Sequence, residues 1–338
     1  MTPAQPSHTP QDRSHHKNVG VVVNPTAGLG KGKNAGAHAI EYLTAQGHTV
    51  HDLTAGNARD ALARARAACM EHLDALVVVG GDGMVHLGVN AVIGTPTPLG
   101  IVPAGSGNDF ARALGLSPRN KTGALHAINT ALKNGTVQHV DAVQVEPYLP
   151  PAHHNRLTLG AQGTDAYSES VRRWYVGTLS MGLDAAVNAQ ANSYRWPSGH
   201  LKYLRAVIAC VARFKPYGYA LTIDGHRFES AGTLAAVSNA PMIGGGIRIA
   251  PQAKLNDGLM DVTFAQPLKL TGILKVFPKL YRGTHLNDPA VTVYTAREVI
   301  IEPTDLGAFP PIAMADGEVV GPVPLKARVH PGALALLR

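Results

Sequence analysis

The chain has 338 residues, more than a single hydrophobic core usually organises, so two modest domains are expected. Apolar residues make up 45% of it and charged residues 16%, which excludes wholesale disorder. Lys and Arg outnumber Asp and Glu by 30 to 23, and the resulting formal charge of +7 suits an anionic partner such as nucleotide phosphates or an acidic membrane surface. The basic residues are scattered and aromatics are few, so nucleic acid is not an expected partner.

The first 17 residues are polar and contain no apolar stretch for a signal peptide; they are expected to form a disordered tail. No later run reaches the roughly 18–20 apolar residues that a membrane span requires. Cys69 and Cys210 each sit in an apolar, helix-like run, which speaks for reduced, packed thiols and against a disulfide framework. A cytoplasmic protein is expected, touching lipid only peripherally, at the inner face of the membrane. A homodimer is left open.

From residue 18 to about 145, short β-branched runs alternate with longer helix-like ones. Residues 19–23, 49–53, 76–79 and 99–102 read as buried parallel strands, separated by crossover helices at 34–46, 57–73 and 83–93. Asn57 with Asp60 three residues on marks a helix start, and Gly47 stands where a helix end needs a cap. Such alternation predicts an α/β domain with a parallel sheet, whose ligands bind at the carboxyl ends of the strands. After residue 145 the pattern changes to strand-like segments at 174–180, 219–223, 233–238, 259–264, 290–294 and 299–302. These predict a mostly antiparallel β-sandwich over 146–338, whose last strands can return to the first domain. Two helix-like inserts, 201–214 and 268–281, interrupt it. Both carry basic residues among apolar ones: Lys202 and Arg205 in the first, Lys269, Lys275, Lys279 and Arg282 along the second. Either is read as a packed helix with solvated charges or as a contact with anionic lipid headgroups.

Three glycine-rich bends follow strands of the first domain. Asn24-Pro25-Thr26-Ala27-Gly28 opens a segment with Lys31 and Lys33, where glycine lets backbone amides reach a phosphate and the next helix offers its positive end. It is not a Walker loop, because Asn34 stands where Ser or Thr would hold magnesium. Its overlap with a loose dinucleotide fingerprint, with Asp52 beyond, is weak. The second bend, Gly80-Gly81-Asp82-Gly83, leaves a strand directly and adds a carboxylate at the sheet edge. The third, Pro103-Ala104-Gly105-Ser106-Gly107-Asn108-Asp109-Phe110-Ala111, offers free amides and the Ser106 hydroxyl. One glycine bend is read as an ordinary turn; three on one edge of one sheet are read as a phosphate site rather than three such turns.

This ordered set resembles the catalytic domain of the diacylglycerol kinase family, which includes bacterial soluble members and the sphingosine and ceramide kinases and is distantly related to NAD kinases. The likeness continues through Asn239-Ala240-Pro241, Gly244-Gly245-Gly246, a segment ending Asn256-Asp257-Gly258-Leu259-Met260-Asp261, and Asp316-Gly317-Glu318. It implies an ATP-dependent lipid kinase that phosphorylates diacylglycerol to phosphatidic acid. Alternatives are another lipid alcohol of the sphingosine or ceramide kind, NAD, or a non-catalytic nucleotide-binding homologue. By similarity, ATP would be held by Asn24, Pro25, Thr26 and Gly28, by Thr54, by Gly80, Gly81, Asp82 and Gly83, and by Ser106, with Asn108 and Asp109 beside it. A structural Mg²⁺ would take the Asp257 carboxylate and the carbonyls of Lys254 and Leu259, an all-oxygen set that suits a hard cation. Glu318 is the first choice for the general base and Asp316 the second, with Asp82 also in the catalytic set. Many relatives read Gly-Gly-Asp-Gly-Thr-x-Asn-Glu, whereas Met84, His86 and Leu87 stand here, so coordination of metal by Asp82 and Asp109 is one way to make up the difference. The 16 histidines include two adjacent pairs, His15-His16 and His153-His154, without acidic or thiol partners at ligand spacing, and are read as solvated.

Overall fold

The computed structural model describes residues 16–71, 73–149, 173–194, 205–206, 209–211 and 214–338. The first lobe runs β1 (Asn18–Val23), α1 (Lys31–Ala45), β2 (Thr49–Asp52), α2 (Ala58–Met70), β3 (Ala75–Gly80), α3 (Asp82–Val92), β4 (Leu99–Pro103), α4 (Asp109–Ala113) and α5 (Lys121–Asn134). Its strands lie in the order β2-β1-β3-β4, all parallel. β3 is buried along its whole length, because alternate side chains meet helices on opposite faces of the sheet. Val21, Val77 and Val79 pack with Ala39 and Leu43 of α1 and Leu125 and Ile128 of α5. Val22, Leu76 and Val78 pack with Ala65 of α2 and Val85 and Val89 of α3. Each Val, Leu or Ile side chain taken out of water here contributes about 1.5–3 kcal/mol. Helix starts follow local chemistry: the Asn57 side chain accepts the Asp60 amide at 2.9 Å and opens α2. Gly47, at φ +90°, turns the chain after α1.

The rest of the chain builds β5 (Gln138–Pro147), β6 (Arg173–Tyr175), β7 (Thr178–Ser180), α6 (Leu183–Ser193), β8 (Tyr217–Ile223), β9 (His226–Gly232), β10 (Leu234–Ser238), β11 (Met260–Ala265), α7 (Leu270–Arg282), β12 (Val291–Ala296), β13 (Glu298–Pro303), β14 (Ala313–Ala315), β15 (Glu318–Gly321) and β16 (Leu325–Leu336). Six of these strands form a second sheet, β12-β11-β10-β7-β14-β15, antiparallel throughout. The α/β lobe and the antiparallel lobe are as the sequence pattern predicts. β16 joins them. Its first half pairs with β13, its whole length pairs with β5, and Leu336 aligns with Leu99 of β4, so one ten-stranded sheet runs through both lobes. Tyr175, Leu179, Tyr219, Val262, Ile301 and Leu325 fill the space between the two sheets. The two tyrosines are fully buried and find acceptors, Tyr175 on the Val237 carbonyl at 3.2 Å and Tyr219 on the Met181 carbonyl at 2.6 Å.

The expected strand 174–180 proves to be two. β6 pairs with β5 in the first sheet, β7 pairs with β10 and β14 in the second, and the chain crosses between them at Val176 and Gly177. The insert expected at 268–281 is α7. Most of the other insert, 201–214, lies outside the described residues, as do residues 1–15 and the His153-His154 pair.

Candidate active site

The three glycine bends meet. The Asn24 amide donates to the Val79 carbonyl at 3.0 Å, and Ala104 donates to the Gly80 carbonyl at 2.7 Å, tying each bend to the next strand. They come so close that side chains are excluded. A Cβ on Gly28, whose φ is +58°, would lie 2.4 Å from the Ala104 carbonyl oxygen, and a Cβ on Gly105 would lie 2.4 Å from the Gly81 Cα. Within the first bend, Asn24 Oδ1 accepts from the Thr26 amide at 3.0 Å and the Thr26 hydroxyl at 2.8 Å. The Thr54 hydroxyl accepts the Val23 amide at 3.1 Å, which holds the turn after β2 against the end of β1. In the third bend, Asn108 adopts φ +54° and bonds both the amide and the carbonyl of Gly105, at 2.9 and 2.7 Å. Ser106 stays exposed at the tip. The result is a concave rim of backbone at the amino end of α3, where the helix dipole favours an anion.

Acidic side chains gather on that rim from both lobes. Asp82, in the first turn of α3, accepts the Phe110 amide at 3.2 Å, and its other oxygen lies 2.8 Å from where a Cβ of Gly107 would stand. Asp109 accepts the Gly245 amide at 2.7 Å, so the glycine turn at 244–246 of the second lobe closes on the first. Its Oδ1 is buried with no hydrogen-bond partner. Burial, and then the neighbouring Asp109 and Asp316 charges, push the Asp82 carboxyl up to about 6; burial also raises Asp109. Glu318, at the start of β15, comes over from the second lobe: its Oε1 lies 3.0 Å from the Cβ position of Gly83. It is exposed.

Asp316 belongs to the same hairpin but is occupied differently. One oxygen accepts the Gly177 and Thr178 amides at 2.8 and 3.2 Å, and the other accepts Val176 at 3.1 Å. It thus pins the crossover between β6 and β7. His86 of α3 lies beside it, Nδ1 to Oδ2 3.6 Å, with both side chains buried. This contact explains one departure from the family pattern: the residue replacing Asn is packed against the hairpin that carries Glu318. Asn90, one turn further along α3, brackets Trp174 by donating to its carbonyl at 2.8 Å and accepting its amide at 2.9 Å. α3 therefore fixes the lobes together and presents Asp82 at its open end.

The loop proposed for a cation is built from a residue that motif spacing does not single out. Asp141, buried in β5, accepts the Gly258 amide at 2.7 Å and the Gly332 amide at 2.8 Å, while its own amide donates to the Leu255 carbonyl at 2.7 Å. The only signal in the sequence is a carboxylate inside the apolar run Val140-Asp141-Ala142-Val143. Asp257 is exposed and folds its Oδ1 onto the Leu259 amide at 3.1 Å. Nearby Asp261 has its carboxyl raised to about 6 by burial and then by the Asp257 charge. Among the described residues, no three His, Cys, Asp or Glu side chains converge on one point.

A two-lobed α/β and β-sandwich fold, with a glycine-lined phosphate cradle facing carboxylates from the other lobe, defines a phosphotransferase cleft. Residues 18–145 match the family described as diacylglycerol kinase catalytic domain, and residues 177–338 match the YegS C-terminal NAD kinase beta sandwich-like domain. A diacylglycerol kinase of Mycobacterium tuberculosis is 32% identical over 321 residues, spanning 95% of this chain and 94% of its own. One from Bacillus subtilis is 26% identical over 283 residues, spanning 82% and 83%. A Shewanella frigidimarina protein named "Probable lipid kinase YegS-like" is 25% identical over 253 residues, spanning 73% and 72%. A crystal structure of a diacylglycerol kinase from Bacillus anthracis shares the fold, with a TM-score of 0.63 over 95% of this chain and 96% of that one at 18% identity. The chain belongs to the diacylglycerol kinase family and is a lipid kinase. Membership of a kinase family implies ATP as phosphoryl donor.

Proposed function

We propose that this kinase transfers the γ-phosphate of ATP to the hydroxyl of diacylglycerol, giving phosphatidic acid and ADP. The observation that carries the reading is the approach of Glu318 from the second lobe to Gly83 on the phosphate rim. The backbone amides of the bends, with Asn24, Thr26, Thr54 and Ser106, hold the triphosphate in line for attack. Glu318 accepts the proton of the lipid hydroxyl as its oxygen bonds the γ-phosphorus and the bond to ADP breaks. Asp316 holds the hairpin that aims Glu318 and does not itself serve as the base, because its oxygens are spent on three backbone amides. Asp82 and the unpartnered Asp109 Oδ1 would be the oxygen donors on the rim for the Mg²⁺ of the nucleotide, and Asp257 with the Lys254 and Leu259 carbonyls would hold a second, structural Mg²⁺. Bound there, Mg²⁺ supplies charge neutralisation of the phosphates.

The acceptor rests on the named relatives, and the resemblance to a YegS-like lipid kinase supports another lipid alcohol as the second reading. Labelled-ATP transfer to a panel of diacylglycerol, sphingosine, ceramide and NAD, with and without Mg²⁺, tests it. Phosphatidic acid as the dominant, Mg²⁺-dependent product is expected. A label appearing chiefly on any other acceptor replaces the proposal.

A further inference from the structure

α7 has two apolar faces and needs only one for packing. Ile273 and Val276 are buried beneath it, and Leu280 packs against Ile249 and Ala250. Leu270, Leu274 and Tyr281 point away from the protein, 51%, 60% and 51% exposed. At 3.6 residues per turn these three fall within an arc of about 40°, so they form one stripe. No other surface helix has such a stripe among the described residues. The helix carries no acidic residue; among the described residues Lys269, Lys275 and Arg282 form no salt bridge, while Lys279 is held by Asp288 at 3.0 Å. An apolar stripe on a helix with basic and no acidic residues, in a chain with a formal charge of +7, complements an anionic lipid surface. The helix is not long enough to cross a bilayer, so it would lie in the headgroup plane.

Its position gives that contact a use. The Leu280 carbonyl accepts the Arg248 amide at 3.0 Å, and Gly283 abuts Pro251 and Arg248. Three residues before Arg248, Gly245 donates to Asp109 on the catalytic rim. We propose that α7 is the membrane-docking helix of this kinase, setting Leu270, Leu274 and Tyr281 among anionic phospholipids and turning the cleft toward the bilayer. The choice of a lipid surface over an acidic protein rests on the lipid acceptor argued above.

The test uses the full chain with vesicles of phosphatidylcholine, with and without phosphatidylglycerol, read by co-sedimentation, and short-chain diacylglycerol in detergent micelles for turnover. Wild type should bind the anionic vesicles preferentially and lose binding as salt rises. A basic residue near such a surface contributes roughly fivefold in affinity, so Lys269→Glu with Lys275→Glu should weaken binding at least ~20-fold. Leu270→Ser with Leu274→Ser should weaken it in both vesicle types, and both double variants should keep micellar turnover. Unchanged binding by these surface variants overturns the proposal, and so does equal binding of wild type to neutral and anionic vesicles. A dimer in solution that dissociates in the leucine variant would also overturn it, assigning the stripe to a second copy of the chain. Docking that the variants abolish, with no lipid phosphorylated, would sink the acceptor assignment and leave the helix standing. Turnover in micelles with vesicle binding indifferent to the variants would do the reverse.

Discussion

The two lobes face one cleft with different materials. The first builds its wall from backbone, with bends so close that Gly28 and Gly105 leave no space for side chains. The second supplies side chains on a hairpin, Asp316 and Gly317 at φ +52° and +87° followed by Glu318. Backbone amides cannot change length or rotamer, so they suit a ligand part that every turnover repeats, the triphosphate. A carboxylate that must take up and release a proton needs a freer side chain. Within the hairpin the same division recurs. Asp316 is buried and bonded to three amides, and two residues later Glu318 is exposed at the rim. Anchoring one carboxylate aims the other.

The largest effects are expected from changing these two carboxylates. Glu318→Gln should cut turnover by about 10²–10⁴-fold, the usual worth of a general base, with ATP binding changed by less than about threefold. Asp316→Asn should act on the fold, since three amides lose a charged acceptor; a loss of about 2–4 kcal/mol is expected in thermal or urea unfolding. Labelled-ATP kinetics beside melting curves check both. A well-folded Asp316→Asn protein without turnover, alongside an active Glu318→Gln, would reverse the assignment of the base.

A smaller effect is expected at the backbone wall. Gly105→Ala places a methyl 2.4 Å from the Gly81 Cα, a backbone atom that cannot turn aside, and must part the second and third bends. Overpacking of this kind costs roughly 1–3 kcal/mol, and here it should appear as nucleotide affinity weakened ~10-fold or more in calorimetry. Gly94→Ala is the control. That glycine has φ +87° but nothing within 4 Å of its Cβ position, so the change should strain only its turn and leave ATP affinity alone. Equal losses from both would mean that close approach of the bends does not matter.

The rim was legible in the sequence because glycine placement at strand ends is a local property, and Gly80, Gly81, Gly105 and Asn108 stand where the motifs suggest. What could not be read was made by distant pairing. The segment at 174–180 looks like one strand by composition, and it splits because Asp316, about 140 residues later, captures the amides at the break. Asp141 looks like a misplaced charge in an apolar strand until Gly258 and Gly332 arrive to use both its oxygens. His86 reads as a lost family residue, and only the fold shows Asp316 beside it. β16 illustrates the same limit in part: a return of the last strands to the first domain is expected from the sequence, but the partners β4, β5 and β13 are set by long-range pairing that no window of sequence contains.

The smallest effect expected is one of pH, and it tests whether the acidic side of the cleft is held ready for a cation. Burial first, and then the Asp109 and Asp316 charges, raise the Asp82 carboxyl from 3.8 to about 6. The folded protein therefore binds this proton more tightly than the unfolded chain. Its ionisation costs nothing below about pH 4, sets in as pH rises toward 6, and costs fully above that. Asp82→Asn keeps an acceptor for the Phe110 amide but removes the charge. In the absence of ligand it should raise stability near neutral pH by about 1–2 kcal/mol and flatten the dependence of melting temperature on pH between 4 and 6. Asp261, raised to about 6 by burial and Asp257, should contribute a similar slope that Asp261→Asn removes. MgATP inverts the sign at Asp82, because a cation at the rim favours the ionised carboxylate. Its stabilisation of the wild type should therefore be smaller below about pH 5 than above about pH 7, beyond the change that ATP protonation alone produces in the Asp82→Asn protein. If MgATP shifts the melting temperatures of wild type and variant in parallel across that range, Asp82 is not engaged by the nucleotide's metal, and its charge is merely tolerated at the end of α3.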